Sequence, residues 1–255
     1  MKTLLLKEVK YFFISPIAYI VLGIYWSFNS FIFIVLKNDF NLFQNKFIDF
    51  TSFFYLTPWF MFFLIPALTM NSYSQEIRSG TFEIIITKPI SYIEIIISKF
   101  LAYSFLFILS VLPTVIYIIY VSTFSISNYE IEANVIIGSY LGLFLLGSNF
   151  ISICLTISII FKNQINNFII GFLICFSQFF LFDRIALYSN SDNLYNVILN
   201  IGSKSHYENF INGVIPIKDV GYFIGIDFFL LSLSLYWPVT YKHCFDQFFQ
   251  YFVLK

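Results

Sequence analysis

The chain has 255 residues, of which 59% are apolar and only 11% are charged, and its mean hydropathy is +0.82. These values lie outside the range of soluble domains, so the sequence predicts an integral membrane protein. The formal net charge is zero, which leaves no basic field to attract nucleic acid and argues against a nucleic-acid partner.

Residues that usually carry enzyme chemistry are sparse in this sequence. There is no GxxxxGK[ST] phosphate loop, and the two histidines, His206 and His243, fall on opposite sides of the membrane in the topology given below. Cys154, Cys175 and Cys244 form no CxxC pair and have no pair of histidines nearby, which indicates packing residues. The sequence therefore predicts a chain that is not an enzyme and holds neither a metal nor a cofactor of its own.

The first 14 residues are predicted to form an amphipathic helix that lies along the membrane surface. Lys2, Lys7 and Lys10 fall on one side of this helix and the apolar residues on the other. Ser15 followed by Pro16 marks a new helix, because serine is a good cap and proline is favoured at the first helical position. The sequence thus predicts an interfacial elbow helix over residues 1–14, separate from the first membrane span.

Six segments of about 20 residues each are apolar enough to cross a bilayer. They cover residues 16–36, 53–70, 100–121, 134–161, 168–185 and 220–238. An even number of spans puts both termini on one side, and the excess of Lys and Arg predicts that this side is the cytoplasm. The predicted fold class is an all-α membrane protein with six transmembrane helices in a single domain over residues 1–255. A charged cytoplasmic loop and a short outer interfacial helix complete it.

The densest run of charge lies between the second and third spans, in residues 71–99. Glu76, Arg78 and Glu83 lie at near-helical spacing around Ile77 and Phe82. This spacing predicts a short element with one charged face and one apolar face, suited to the membrane surface or to a groove on a partner.

Local signals also predict where the helices of this loop begin and end. Gly80 favours the end of a helical turn, and Pro89 stops the segment that follows Thr81. Ser91 and Glu94 form a capping box, which predicts a fresh helix from Ser91. Two short elements held between membrane helices make a rigid protrusion rather than a slack loop.

A family resemblance appears in the same loop and recurs elsewhere. The loop carries Glu76-x-x-x-Gly80-Thr81-Phe82-Glu83, then Thr87-x-Pro89, Glu94 and Lys99, and it resembles the first cytoplasmic loop of ABC-2 type transporter permeases. The N-terminal run Lys7-Glu8-Val9 with Ser15-Pro16-Ile17-Ala18-Tyr19 is similar to the start of those proteins, especially gliding-motility-associated permease subunits. A third similar stretch runs from Tyr207 to Phe223. The resemblance covers essentially the whole chain.

The resemblance implies a function, partners and a location. It implies a permease subunit of an ATP-binding cassette transporter, an exporter linked to gliding motility or secretion. It also implies an ATPase subunit that binds ATP, a second permease copy or related membrane subunit, surrounding membrane lipids, and the bacterial inner membrane with both termini cytoplasmic. The 71–99 loop would be the coupling loop to the ATPase, through the residues Glu76, Arg78, Gly80, Thr81, Phe82, Glu83 and Pro89.

Two other functions stay open at this stage. The chain could be a membrane scaffold subunit that anchors a motility or secretion assembly without transport. A secondary transporter is disfavoured, because paired charges in mid-membrane are missing. Asp227 is the one candidate intramembrane acid, and it lies early in its span. The sequence does not indicate the substrate.

The fourth span carries a pattern typical of close helix contacts. Gly138 and Gly142 are four residues apart, and small polar residues follow them towards Ser158. Small residues at this spacing let two helices approach closely, and small polar side chains can form hydrogen bonds across the contact. The pattern fits helix packing or a substrate-lining face, and packing is favoured.

Residues 187–219 form the longest polar excursion after the fifth span, and part of it is predicted to be an outer helix. Ser205 and Glu208 read as a capping box, and Gly213 with Pro216 supplies a stop. The apolar stripe of this helix is formed by Tyr207, Phe210, Ile211 and Val214. Such a short helix needs its stripe buried, against lipid or against the ends of spans. The helix is either a structural lid or a gate over a transport path.

Overall fold

The structure, a computed structural model, describes residues 1–35, 51–116, 133–189 and 191–253 of the chain. Within those residues it contains helices and no strands. The end of the predicted third span, residues 117–121, and most of the loop that follows it lie outside the described residues.

The N-terminal region forms two helices with a break between them. Helix α1 is Lys2–Ile14, and α2 is Pro16–Ser30, continued by a π-helical turn at Phe31–Val35. Ser15 between them is extended, with φ −76° and ψ 129°. The proline ring explains this break, because it disfavours a helical conformation in the residue before it. The boundary predicted from Ser15 and Pro16 is present.

The next three elements make the second predicted span and the charged loop. Helix α3 is Thr51–Thr69 and contains both Pro58 and Pro66. Two short helices follow, α4 at Ser74–Arg78 and α5 at Thr81–Ile86. Helix α6, Tyr92–Val111, begins with both hydrogen bonds of the Ser91–Glu94 capping box in place.

The C-terminal half contains five further helices. Helix α7 is Ala133–Ile160, and α8 is Gln164–Ala186, which is capped by the Asn163 side chain. Two short helices follow, α9 at Asp192–Leu199 and α10 at Ser203–Ile211. Helix α11 is Ile217–Val253. It continues through Pro238, so the end predicted there for the sixth span is not a helix end.

Helix α7 is the centre of the bundle. It packs against α3, α6, α8, α10 and α11. Its most apolar stretch is 78% buried, compared with 22% in α8 and 28% in α2, which leave most of their surface outside the protein. Around α7 the core is aromatic: the ring centroid of Phe62 on α3 lies 5.5 Å from that of Phe150 on α7 and 5.6 Å from that of Phe179 on α8.

Five helical stretches of the described structure are long and apolar enough to cross a membrane: Pro16–Phe33, Thr51–Arg78 (which comprises α3 and α4), Tyr92–Thr114, Asn134–Ile160 and Gln164–Ala186. They correspond to the first five predicted spans. The predicted sixth span lies in α11, whose described side chains include Lys218, Asp219 and Asp227, so α11 is not among the five. The count of six spans therefore stays a prediction.

The 187–219 segment folds differently from the prediction in three details. Its helix α10 begins at Ser203, after Gly202, so Ser205 lies inside the helix. The Ser205 hydroxyl donates to the Leu199 carbonyl, 2.8 Å away, so the predicted capping box with Glu208 is wrong. An additional helix, α9, was not predicted. The carbonyl group of Leu199, the last residue of α9, accepts the hydrogen bond from the Ser205 hydroxyl.

Candidate functional site

A group of charges, buried at Glu8 and Lys99, joins the 71–99 loop to α1 and α6. Lys99 Nζ lies 2.9 Å from Glu8 Oε1 and 2.9 Å from Glu76 Oε2, and Lys7 Nζ lies 2.5 Å from Glu76 Oε1. The side chain of Lys99 is only 2% exposed and that of Glu8 only 7%. We call Lys7, Glu8, Glu76 and Lys99 the ion cluster. It connects three segments that are far apart in the sequence.

Lys99 is the centre of the ion cluster. Besides its two carboxylates, its ammonium donates to the Ser72 carbonyl at 2.6 Å and lies 4.7 Å from the ring centroid of Tyr73. Two lysines and two glutamates cancel in formal charge, as buried charges require. Burial lowers the pKa of Lys7, but the hydrogen bond and the charge of Glu76 outweigh this and raise the pKa above its ordinary value. Lys7 is therefore charged at neutral pH.

Two further helices hold the start of the loop. The Ser158 hydroxyl on α7 accepts hydrogen bonds from the backbone N–H groups of Tyr73 and Ser74, at 3.1 and 3.3 Å. These contacts satisfy N–H groups that the start of α4 would otherwise leave unpaired. The Asn167 amide on α8 donates to the Met70 carbonyl at 3.2 Å. Residues 70–76 are thus fastened to α1, α6, α7 and α8 together.

The tip of the loop is a turn between two short helices. Gly80 has φ +70°, a left-handed conformation that favours glycine, and it separates α4 from α5. A Cβ atom there would meet no other atom within 4 Å, so the backbone conformation alone explains the glycine. Behind the tip, the rings of Phe82 and Tyr73 meet edge to face at 6.1 Å. This contact holds α5 against the base of the loop.

The predicted coupling residues divide into two groups. Five are exposed at the surface of the loop: Arg78, Gly80, Thr81, Glu83 and Pro89. Phe82 is half-buried, and Glu76 points inward to the ion cluster. The predicted end of a helical turn at Gly80 is present, but the predicted common charged face of Glu76, Arg78 and Glu83 is wrong, because Glu76 takes its partners from other helices. Charge spacing within one segment cannot reveal partners on another segment.

Glu8 and Lys99 are the functional residues that sequence reasoning missed. Both were quoted in the family resemblance, but neither was assigned to a site. A signal for Glu8 was present: it lies three residues after Leu5 and four before Phe12, on the apolar stripe of α1. An acid on an apolar stripe needs a buried partner of opposite charge.

Gly138 and Gly142 lie against α10. A Cβ atom on Gly142 would be 2.5 Å from the Phe210 Cβ atom, and one on Gly138 would be 3.2 Å from the Phe210 carbonyl oxygen. The two glycines therefore allow α10 to sit directly on α7. Tyr207 adds a hydrogen bond from its hydroxyl to the Phe54 carbonyl, at 2.9 Å.

The predicted stripe of α10 is buried in part. Tyr207, Phe210 and Ile211 are at most 1% exposed. Val214 lies beyond the helix, after Gly213 at φ +77°, and is 57% exposed, so its place in the buried stripe is wrong. The left-handed turn at Gly213 changes the chain direction and carries Val214 off the helical face.

A second buried polar group fastens α10 to the start of α11. His206 Nδ1 lies 2.7 Å from Asp219 Oδ1, and His206 Nε2 lies 3.0 Å from the Asn200 carbonyl oxygen. A carbonyl oxygen only accepts, so Nε2 carries a hydrogen. The Asn209 amide donates to the other Asp219 oxygen at 2.7 Å. These contacts hold α9, α10 and α11 in fixed relation.

The fold and the anchored loop define a multi-pass membrane protein built as one helical bundle. Among the described residues, no three His, Cys, Asp or Glu side chains are grouped to hold a metal ion. Residues 27–249 match the family described as ABC-2 family transporter protein, and the chain belongs to that family. No curated protein matches the chain.

Membership of this family gives the coarse function. The chain is a membrane transport permease, a transporter component rather than a catalytic enzyme itself. Permeases of the family normally work with an ATPase subunit and are often dimeric. The resemblance to ABC-2 permeases is thereby confirmed, and the gliding-motility type stays a prediction.

Proposed function

We propose that this chain is the permease subunit of an ABC-2 exporter linked to gliding motility or secretion. It crosses the bacterial inner membrane six times, with both termini in the cytoplasm, and pairs with a second permease copy or a related membrane subunit. A separate ATPase subunit binds ATP and drives it through the 71–99 loop. This chain binds no cofactor.

The attachment of the loop to four helices is the observation that carries this proposal. An ATPase that closes when it binds nucleotide can move membrane helices only through a rigid segment attached to them. Residues 70–76 contact α1 through Lys7, α6 through Lys99, α7 through Ser158 and α8 through Asn167. A push on the tip is therefore transmitted to the bundle rather than absorbed in the loop.

The exposed tip supplies the docking surface. Arg78 and Glu83 offer one charge of each sign, and Ile84, next to Glu83 on α5, is 60% exposed. Charges around an apolar contact favour correct orientation of a partner and exclude wrong ones. Glu76 takes no part in this surface, so reversing its charge would disturb the ion cluster rather than the docking.

An apolar groove supports the pairing with a membrane partner. It lies between α2 and α3, with Phe168 of α8 at one side, and has a volume of about 710 Å³. Tyr25, Phe28, Trp59 and Phe63 are among its lining residues. We propose that this face meets the second membrane subunit.

Docking can be tested by reversing both tip charges with Arg78→Glu and Glu83→Lys together. We expect the variant to insert and purify normally but to lose the ATPase subunit on co-purification in detergent. Asp192→Lys is the matched control, since Asp192 is exposed on α9, far along the chain from the loop. Retention of the ATPase by the tip variant at the level of the control would refute the docking surface.

A second experiment separates the permease from a membrane scaffold. The partner ATPase is made unable to hydrolyse ATP, and the export or motility phenotype is scored. A permease loses its function with hydrolysis, whereas a scaffold that only anchors an assembly keeps it. A phenotype that survives would replace the proposed function with the scaffold.

A further inference from the structure

Inside the bundle, α7 and α11 meet through a group of polar side chains that the coupling loop does not use. Ser148 Oγ lies 2.7 Å from Asp227 Oδ2, and Ser152 Oγ lies 2.9 Å from Asp227 Oδ1. Asn149, between them in the sequence, is fully buried, and neither of its amide atoms forms a hydrogen bond. Asp227 is ten residues into α11, which is about 15 Å along the helix axis.

The two serines have too few hydrogens for their contacts. Ser148 Oγ also lies 2.8 Å from the Leu145 carbonyl, and Ser152 Oγ lies 2.8 Å from the Asn149 carbonyl. Carbonyl and ionised carboxylate oxygens only accept, and each serine hydroxyl has a single hydrogen. With an ionised Asp227, two hydrogens face four acceptors, so each serine would have to share its one hydrogen between a carbonyl and a carboxylate oxygen.

One added proton resolves most of this shortage. A protonated Asp227 donates from Oδ2 to Ser148 Oγ, and Ser148 then donates to the Leu145 carbonyl. Ser152 keeps its hydrogen for Asp227 Oδ1. The oxygen–oxygen distances of 2.7 and 2.9 Å fit hydrogen bonds of this kind.

Charged groups on the helices around Asp227 have other partners. Helix α7 has no charged residue, and its Tyr140 hydroxyl and Cys154 thiol contact Thr114 and Cys175. Titratable groups on the other helices packed against α11 are also engaged elsewhere. On α6, Lys99 and Tyr103 lie near the carboxylates of the ion cluster. On α10 and α11 the partners are as follows: His206 with Asp219, Glu208 with Lys204, Lys218 with Asn200, and Tyr222 with the Ile201 carbonyl. Among the described residues, Asp227 thus has neutral neighbours only. An ionised carboxylate among neutral groups in a membrane-spanning bundle is strongly disfavoured.

We propose that Asp227, Ser148 and Ser152 form a proton-binding site at the contact between α7 and α11. Asp227 holds its proton while the two helices pack as they do here. This inference does not depend on docking of the ATPase to the 71–99 loop.

Infrared spectroscopy of the purified full-length protein in lipid nanodiscs tests the site directly. We expect the C=O stretch of a protonated carboxyl group at neutral pH, and we expect Asp227→Asn to lose it. Asp192→Asn, which changes an exposed aspartate on α9, should keep the band. Ser148→Ala with Ser152→Ala should shift its frequency, because the hydrogen bonds to the carboxyl group are gone.

Thermal unfolding provides a readout that does not depend on band assignment. Asparagine resembles the protonated acid in shape and lack of charge, so Asp227→Asn should unfold at about the wild-type temperature in acid, near pH 4, where the unfolded wild type also keeps this proton. Between about pH 4 and neutral pH the unfolded chain ionises at Asp227 while the folded chain keeps the proton, so the wild type should lose stability relative to this variant. If the neutral-pH band is absent from the wild type, or if Asp227→Asn leaves it unchanged, Asp227 is an ionised structural residue and the proposal fails.

Discussion

Replacing Lys99 by methionine removes the central cation of the ion cluster and leaves one lysine facing two carboxylates. The variant loses ion pairs at 2.9 Å to Glu8 and to Glu76, a 2.6 Å hydrogen bond to the Ser72 carbonyl, and the contact with the Tyr73 ring. Glu8 then has only Lys7, whose ammonium lies 3.8 Å away. Removing one partner of a buried ion pair costs about 3–5 kcal/mol, because it leaves an uncompensated buried charge.

Most of this cost should come from the stranded charge of Glu8. Adding Glu8→Gln to Lys99→Met restores a neutral cluster of Lys7 and Glu76, so the double variant should be more stable than Lys99→Met alone. The coupling energy of this double-mutant cycle should have a magnitude of roughly 1–3 kcal/mol. Equilibrium unfolding of the purified protein in detergent measures all four free energies.

The control for this cycle is Lys10→Met on α1. Lys10 is exposed, so its replacement should change the free energy of unfolding by no more than about 0.5 kcal/mol. If Lys99→Met were as mild as Lys10→Met, or if the effects of Glu8→Gln and Lys99→Met were simply additive, the ion cluster would not hold the loop as described.

Three other predictions address packing, pH and topology. Gly142→Leu should cost roughly 1–3 kcal/mol of stability by pushing Phe210 and α10 off α7, and Phe210→Ala in the same chain should recover part of it; a thermal unfolding series decides this. Burial lowers the pKa of Lys7, but Glu76 raises it by more, so the pKa in the folded chain lies above the ordinary lysine pKa of about 10.4. The ion pair therefore contributes its full stability below about pH 10.4, and this contribution is lost as the pH rises through the pKa of the folded chain. Lys7→Met should abolish that alkaline loss, and an unchanged unfolding profile against pH would argue otherwise. Single cysteines at Ser79 and at Asn163 should react only with reagents that enter the cytoplasm, and one at Asn193 should react from outside; outside labelling at Ser79 would overturn the topology.

Several helix boundaries could be predicted from the sequence because their signals act within one helical turn. Pro16 forces the extended backbone at Ser15, and Gly80 allows the left-handed turn at the tip of the loop. Ser91 and Glu94 exchange their capping hydrogen bonds over three residues. Five membrane-spanning helices could likewise be predicted from hydropathy, because the length of an apolar segment can be read from that segment alone.

The tertiary structure decided everything that depends on which residues become neighbours. Lys7 and Glu76 are 69 residues apart and Glu8 and Lys99 are 91 apart, so no local pattern links them. Glu76 therefore looks like a docking residue in the sequence and is a partly buried member of the ion cluster in the fold. Ser205 has a capping pattern but finds a closer acceptor, because a helix that was not predicted ends beside it. Sequence spacing reports what one helix can do alone, whereas buried charges and close contacts are settled only when separate helices pack together.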